Sequence, residues 1–150
     1  MIYTTVCKPG DIFYGRQGLG YNEIYKFKVL TILITEDDGI WYNCEYYDLA
    51  GTNHSSLCQF QEEDFKTLMF KTPEAAQKDL EKRTKLYEQM DDYSEELRFE
   101  ENLSIARKLI EKHIAEIEDL QKFCNFSESE YLYVKELFEE QIVSEKSINA

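Results

Sequence analysis

All six glycines of this 150-residue chain lie before residue 52: Gly10, Gly15, Gly18, Gly20, Gly39 and Gly51. Glycine weakens helix interiors because it surrenders the most backbone freedom on ordering. A chain that uses it only in its first third is expected to pass from a turn-rich, strand-built part to a helical one. The change falls at Thr72–Pro73. Residues 1–72 carry 6 basic and 10 acidic side chains, net −4, and residues 73–150 carry 11 and 20, net −9, which together give the formal charge of −13.

The charge restricts function before any motif is considered. Phosphate backbones and anionic membranes reward basic surfaces, so neither direct nucleic-acid binding nor membrane binding is expected. Hydrophobic residues at 43%, with 14% aromatic, are too many for a disordered acidic tail. No apolar run is long enough to span a bilayer, and Met1 to Asp11 lacks the basic stretch and apolar core of an export signal. The expected location is the cytoplasm. There Cys7, Cys44, Cys58 and Cys124, which form no CxxC pair, are expected to be reduced.

The first part reads as β. Pro9-Gly10-Asp11 is a turn leading into Ile12-Phe13-Tyr14. Between Glu23 and Thr35 the apolar positions Tyr25, Phe27 and Val29 alternate with lysines. The phase then slips by one, to Leu30, Ile32 and Ile34. A slip within one strand is the signature of a bulge or barrel corner. Glu36-Asp37-Asp38-Gly39 supplies a hairpin turn. On the returning strand Ile40, Tyr42, Cys44 and Tyr46 mark one face, and Trp41 and Tyr47 the other. Leu57 to Gln61 adds a strand, and Leu68-Met69-Phe70 a last short one. Strands of this number and length predict a small antiparallel SH3-like β-barrel, with an open sheet packed on a helix as the rival.

The second part reads as helix, an acidic region over residues 73–150. Thr72 and Pro73 mark its start. The acidic run from Asp91 to Glu96 either breaks the helix, with Asp92 and Glu95 as a capping pair, or forms one solvated face. From Leu103 a heptad spacing of Leu103, Ala106, Ile110, His113, Ile117, Leu120 and Cys124 predicts a coiled-coil-like self-association seam, and with it a homo-oligomer. Ser127 and Glu130 form a capping box for a last helix carrying Tyr131, Val134, Phe138 and Ile142, which is expected to fold back as an antiparallel hairpin. The predicted class is therefore α+β.

The phrases Ile32-Leu33-Ile34-Thr35-Glu36-Asp37-Asp38-Gly39-Ile40-Trp41-Tyr42 and Phe70-Lys71-Thr72-Pro73-Glu74-Ala75-Ala76 resemble short barrel-like proteins of phages and mobile elements of low-GC bacteria. The resemblance covers residues 11–80. Several small phage proteins of this build act against host defence systems, so it implies an anti-defence role, without assigning a role to any residue.

No catalytic set emerges. His54 and Cys58 have an HxxxC spacing, but zinc needs three or four converging ligands and no close pair supplies them. Tyr14-Gly15-Arg16-Gln17-Gly18-Leu19-Gly20 has the order GxxGxG, not the GxGxxG of a dinucleotide site. No metal or other cofactor is implied. Thirteen of the 21 aromatic residues fall within residues 1–72, more than so short a barrel can bury. Trp41, Tyr47 and Tyr21 are expected at a surface, where aromatics favour recognition.

The leading expectation is a non-enzymatic protein-binding protein. Trp41, Tyr47, Arg16, Asp91, Asp92, Glu95 and Glu96 are its contact residues, and a basic nucleic-acid-binding protein, such as a bacterial defence nuclease, is its partner. Two others stand beside it. One is an oligomeric sponge for a signalling nucleotide, with Arg16, Arg98 or Arg107 as anion ligands. The other is a structural accessory protein that dimerises through its helices.

Overall fold

The structure is a computed structural model that describes residues 5–18, 21–37, 39–50 and 56–149, with side chains through residue 139. It is α+β: five antiparallel strands in one open sheet, together with five helices, among the described residues. The chain forms two compact units, one built on the chain up to Lys78 and one on Asp79–Val143.

In the first unit, β1 (Ile12–Gly15), β2 (Tyr25–Thr35), β3 (Gly39–Asp48) and β4 (Ser56–Gln61) form a meander, and β5 (Met69–Phe70) pairs with the free edge of β1. The sheet order is β4-β3-β2-β1-β5. The phase slip in β2 is a bulge: register is lost between Val29 and Thr31, so Leu30 is the extra residue. The chain before β1 is tied to this point, Gly10 N donating to Val29 O at 2.7 Å and Val29 N to Asp11 O at 2.9 Å. Gly39 closes the β2–β3 hairpin at φ +77°, a conformation that side chains with a Cβ resist. Gly15 has a different reason to be glycine. A Cβ there would lie 2.1 Å from Leu68 O, so any side chain would push β5 off β1.

One face of the sheet is the core. Phe13, Phe27, Val29, Ile40, Tyr42, Cys44 and Phe60 point into it. Across it lies α1 (Glu62–Leu68), a helix the sequence reading did not anticipate. Its Phe65 stacks on Tyr42 with ring centroids 4.4 Å apart and meets Phe13 edge-on at 5.1 Å. The Tyr42 hydroxyl is satisfied inside this core, accepting from Val6 N at 3.2 Å and donating to Glu62 Oε1 at 3.3 Å. The sheet is open, so the closed barrel of the sequence reading is not formed. A helix inserted between β4 and β5 covers the core face instead.

Helix α2 (Pro73–Glu88) starts where Thr72 caps it, Ala75 N donating to Thr72 Oγ1 at 3.1 Å. The acidic run is a break. Asp92 is the N-cap of α3 (Tyr93–Glu111), its carboxylate accepting from Glu95 N at 3.0 Å. The predicted heptad does not lie on one helix. Helix α3 ends at Glu111, and His113 follows at φ +58° and exposed. A 3-10 turn at Ile117–Asp119 then leads into α4 (Leu120–Phe123). Leu103, Ala106 and Leu120 are buried, and Ile110 and Ile117 are partly buried. The spacing therefore combines the inner face of α3 with a separate short segment, and it is not a continuous seam for a second chain.

Helix α5 (Glu128–Asn149) begins at the predicted capping box: Glu130 N donates to Ser127 Oγ at 3.2 Å and Ser127 N to Glu130 Oε1 at 2.8 Å. Tyr133 and then Phe138 on α5 meet Phe99 and then Arg107 on α3. The contacts ascend together along both helices, which is the order of a parallel pair. The expected antiparallel hairpin is not formed, because the segment 112–127 has already carried the chain back, bringing Phe126 onto Phe99.

Candidate functional site

Strand alternation gives the sheet a second face. On it, cross-strand register aligns residues in rows. Ile12 of β1 lies beside Lys28 of β2, Lys28 beside Glu45 of β3, and Glu45 beside Leu57 of β4. In the next row Tyr14, Lys26 and Tyr47 are neighbours. On the other side of the bulge Thr31, Asn43 and Gln59 form a hydrogen-bonded ladder, Asn43 Nδ2 donating to Thr31 Oγ1 and Gln59 Nε2 to Asn43 Oδ1, both at 2.9 Å. Beyond them Leu33, Trp41 and Gln61 close the face.

This face departs from an ordinary solvated one in its apolar content. Leu57 is 77% exposed, and Ile12 and Leu33 are each close to half exposed. Trp41 and Tyr47 both lie here, partly exposed, where the sequence placed them. Tyr47 donates to Glu45 Oε1 at 2.5 Å, and this bond holds its hydroxyl protonated above the usual phenol range. Beside it Ile12, Lys26, Lys28, Tyr47, Asp48 and Leu49 line a groove of about 360 Å³. Rings, half-exposed aliphatics and lysine stems suit contact with a protein, since each offers area that loses water on association.

The other predicted contact residues separate. Arg16 is buried, 3% exposed, so it does not sit at a loop tip for a ligand; the close packing of β1 on β5 draws the residue after Gly15 inward. Asp91 and Asp92 are exposed, and Glu95 and Glu96 partly so. Asp92 and Glu95 are engaged locally as caps, Glu95 Oε2 also accepting from Asp91 N at 3.3 Å. Of the sponge arginines, Arg107 is buried with its guanidinium 5.1 Å from the centre of the Phe138 ring. Arg98 is exposed and lines a cleft of about 310 Å³ with Glu95 and Glu130 at its walls. Paired carboxylates in the same cleft make it a poor anion site.

The thiols are not poised for chemistry. Cys44 and Cys58 are direct cross-strand partners, and all four cysteines are free. Burial pushes the Cys44 thiol up to about 12 and Cys58 to about 11, and Cys7 is likewise pushed to about 12 by burial, then by Asp11 and Cys44. Thiols this far above neutrality carry almost no thiolate and are poor nucleophiles. Among the described residues no group of three or more His, Cys, Asp or Glu is placed to hold a metal ion; His54 lies outside them. Among those residues, too, no helix is long and apolar enough to cross a membrane.

The second unit holds a buried polar network that the sequence reading missed. Arg83 Nε donates to the Tyr133 hydroxyl at 2.8 Å and its Nη1 to Glu100 Oε1 at 2.6 Å. Tyr133 donates on to Asp79, and Tyr87 to Glu100. Burial disfavours the Arg83 charge, but Tyr133, Glu100, Asp79 and Tyr87 more than offset it and hold the guanidinium protonated. The signal was present, because Asp79, Arg83 and Tyr87 are spaced by four and so share one helix face. Its enclosure marks it as an internal strut and not a site.

Comparison of the chain with protein-family models, with curated proteins and with solved structures finds no match.

Proposed function

We propose that the chain is a non-enzymatic binding protein whose contact surface is the outer face of the sheet. The observation that supports this reading is the apolar content of that face, with Leu57, Leu33 and Ile12 exposed and Trp41 and Tyr47 partly so, on one side of four strands. Exposed apolar area of this kind, interspersed with charge, is characteristic of surfaces that meet a partner. The first unit belongs in this reading to the SH3-like build. In its favour is the order of a four-strand meander, a short helix and a fifth strand returning to the first.

The partner in this reading is a basic protein of a bacterial defence system, such as a CRISPR nuclease, and the chain is a phage-encoded inhibitor acting in the host cytoplasm. Two features support it. The helical part carries net −9, with Asp91 and Glu96 near the turn between α2 and α3, and such charge competes for grooves built to hold phosphates. The resemblance of residues 11–80 to small phage proteins points the same way.

Affinity capture from a bacterial lysate carrying such a nuclease tests the proposal, with wild type and Trp41→Ala compared at low and high salt. Capture at low salt, weakened by salt and by the substitution, is the expected result. Capture of nothing beyond what a charge-matched control protein retains would overturn it.

A further inference from the structure

The row Ile12–Lys28–Glu45–Leu57 reads apolar, positive, negative, apolar across four adjacent strands. Reversed, it is complementary to itself: Lys28 falls on Glu45 and Ile12 on Leu57. That reversal is what a two-fold axis produces when it runs parallel to the strands and lies between two sheets stacked face to face. The next row fits the same operation, since Lys26 and Tyr47 are cross-strand neighbours and would each meet the other's counterpart, an ammonium over a phenol ring.

The charges within one copy leave this pairing open. Among the described residues neither Lys26 nor Lys28 makes an ion pair or side-chain hydrogen bond, although Lys28 stands directly opposite Glu45. Glu45 turns instead to the Tyr47 hydroxyl, at 2.5 Å. Two lysines two positions apart on one strand repel each other, and anions brought from outside would relieve that. Leu57 and Ile12 at the ends of the row supply apolar area that is otherwise left in water.

We infer that the outer face pairs with the same face of a second copy of this chain, Lys28 of each copy meeting Glu45 of the other. This rests on the reading of that face as a contact surface and makes a second copy its occupant until a partner displaces it. An acidic peptide fits less well, because it would meet Glu45 and Asp48 along with the lysines. A nucleic-acid backbone would meet two lysines on a chain of net −13. The predicted heptad is no rival seam, since its Leu103, Ala106 and Leu120 are already buried within the single chain.

Sedimentation equilibrium on five samples tests it: wild type, Lys28→Glu, Glu45→Lys, those two variants mixed in equal amounts, and a variant carrying both substitutions. The wild type should dimerise within the micromolar to millimolar range. Each single variant sets like charges against each other twice across the axis and should dimerise at least about 10-fold more weakly. The mixture should recover the wild-type constant, because each of its two contacts again joins opposite charges. The variant carrying both substitutions should recover it too, which excludes misfolding as the reason for the loss. A wild type that stays monomeric throughout, single variants that pair as well as wild type, or a mixture that fails to recover would each overturn the pairing. So would a monomer that binds poly-glutamate through Lys26 and Lys28, since an acidic segment would then be the occupant. If the wild type stays monomeric yet Trp41→Ala still abolishes capture of a partner, only the self-pairing fails. If it pairs and Trp41→Ala leaves capture unchanged, only the partner-binding reading fails.

Discussion

Arg83 and Glu100 form a buried ion pair, Nη1 to Oε1 at 2.6 Å, that joins α2 to α3 with the arginine side chain only 1% exposed. Tyr133 completes the arrangement from α5, accepting from Arg83 Nε, so one guanidinium ties three helices. The Phe99 and Tyr133 rings lie against it at 5.8 and 5.1 Å from their centroids. Removing one member of such a pair leaves the other charge buried without compensation, which costs about 3–5 kcal/mol. Arg83→Ala should lower stability by that amount in urea unfolding. Arg83→Met combined with Glu100→Leu should cost less, because it removes both charges of the pair and keeps the volume, leaving only buried Asp79 without its cation. Equal losses in both variants would show that packing and not charge pairing dominates here.

The acidic break between α2 and α3 lets capping be tested apart from the proposed recognition. Asp92→Ala should cost about 1 kcal/mol, the usual loss of an N-cap, and Ser127→Ala a similar amount at the start of α5. Glu96→Ala, which removes no capping bond, should leave unfolding midpoints nearly unchanged while weakening capture of a basic partner at low salt. Thermal unfolding of the three variants beside the capture experiment checks this. A Glu96→Ala variant as unstable as Asp92→Ala would remove the distinction.

Alkaline pH should weaken the first unit. Cys7 and Cys44 stay neutral in the fold until about 12, against 9.0 for a free thiol, because burial disfavours the thiolate. Above 9.0 the unfolded chain has lost these protons and the folded chain has kept them, so stability falls as pH rises toward 12. Below 9.0 the two states bind the same number of protons at these thiols, and their contribution is fully present. Tyr42, also pushed up by burial, adds to the decline once free tyrosine begins to ionise. Urea midpoints followed by tryptophan fluorescence should hold steady up to about pH 9 and then drop. Cys7→Ala with Cys44→Ala should start lower and fall less steeply. A midpoint that stayed flat above that pH would contradict the assignment.

The features legible in the sequence were those set by neighbours a few residues apart. The bulge at Leu30 appeared as a slip in alternation, Gly39 as the hairpin residue, Thr72 and Ser127 as caps, and Asp92 as a cap under one of two readings of the acidic run, because each acts through bonds that local sequence specifies. What failed was set by contacts distant in the chain. Helix α1 has only seven residues, too few to show a period, and it forms where Phe65 packs between Tyr42 and Phe13. The end of α3 carries no glycine or proline; His113 takes the left-handed conformation that glycine usually fills, so the apparent heptad ran on through a turn. On the outer face, alternation placed Trp41 and Tyr47 correctly. The row of Ile12, Lys28, Glu45 and Leu57 was out of reach, since it exists only once the registers of four strands are known.

A chain that works by contact through the outer face of its sheet, as proposed, should hold other molecules against that face. The most direct measurement is photo-crosslinking in cells, with p-benzoylphenylalanine replacing Trp41, Tyr47 or, as an exposed control on α2, Gln77. Adducts of higher mass are expected from positions 41 and 47, to a second copy or to another protein, and little or none from position 77. Adducts absent from 41 and 47 but present at 77 would contradict the proposal.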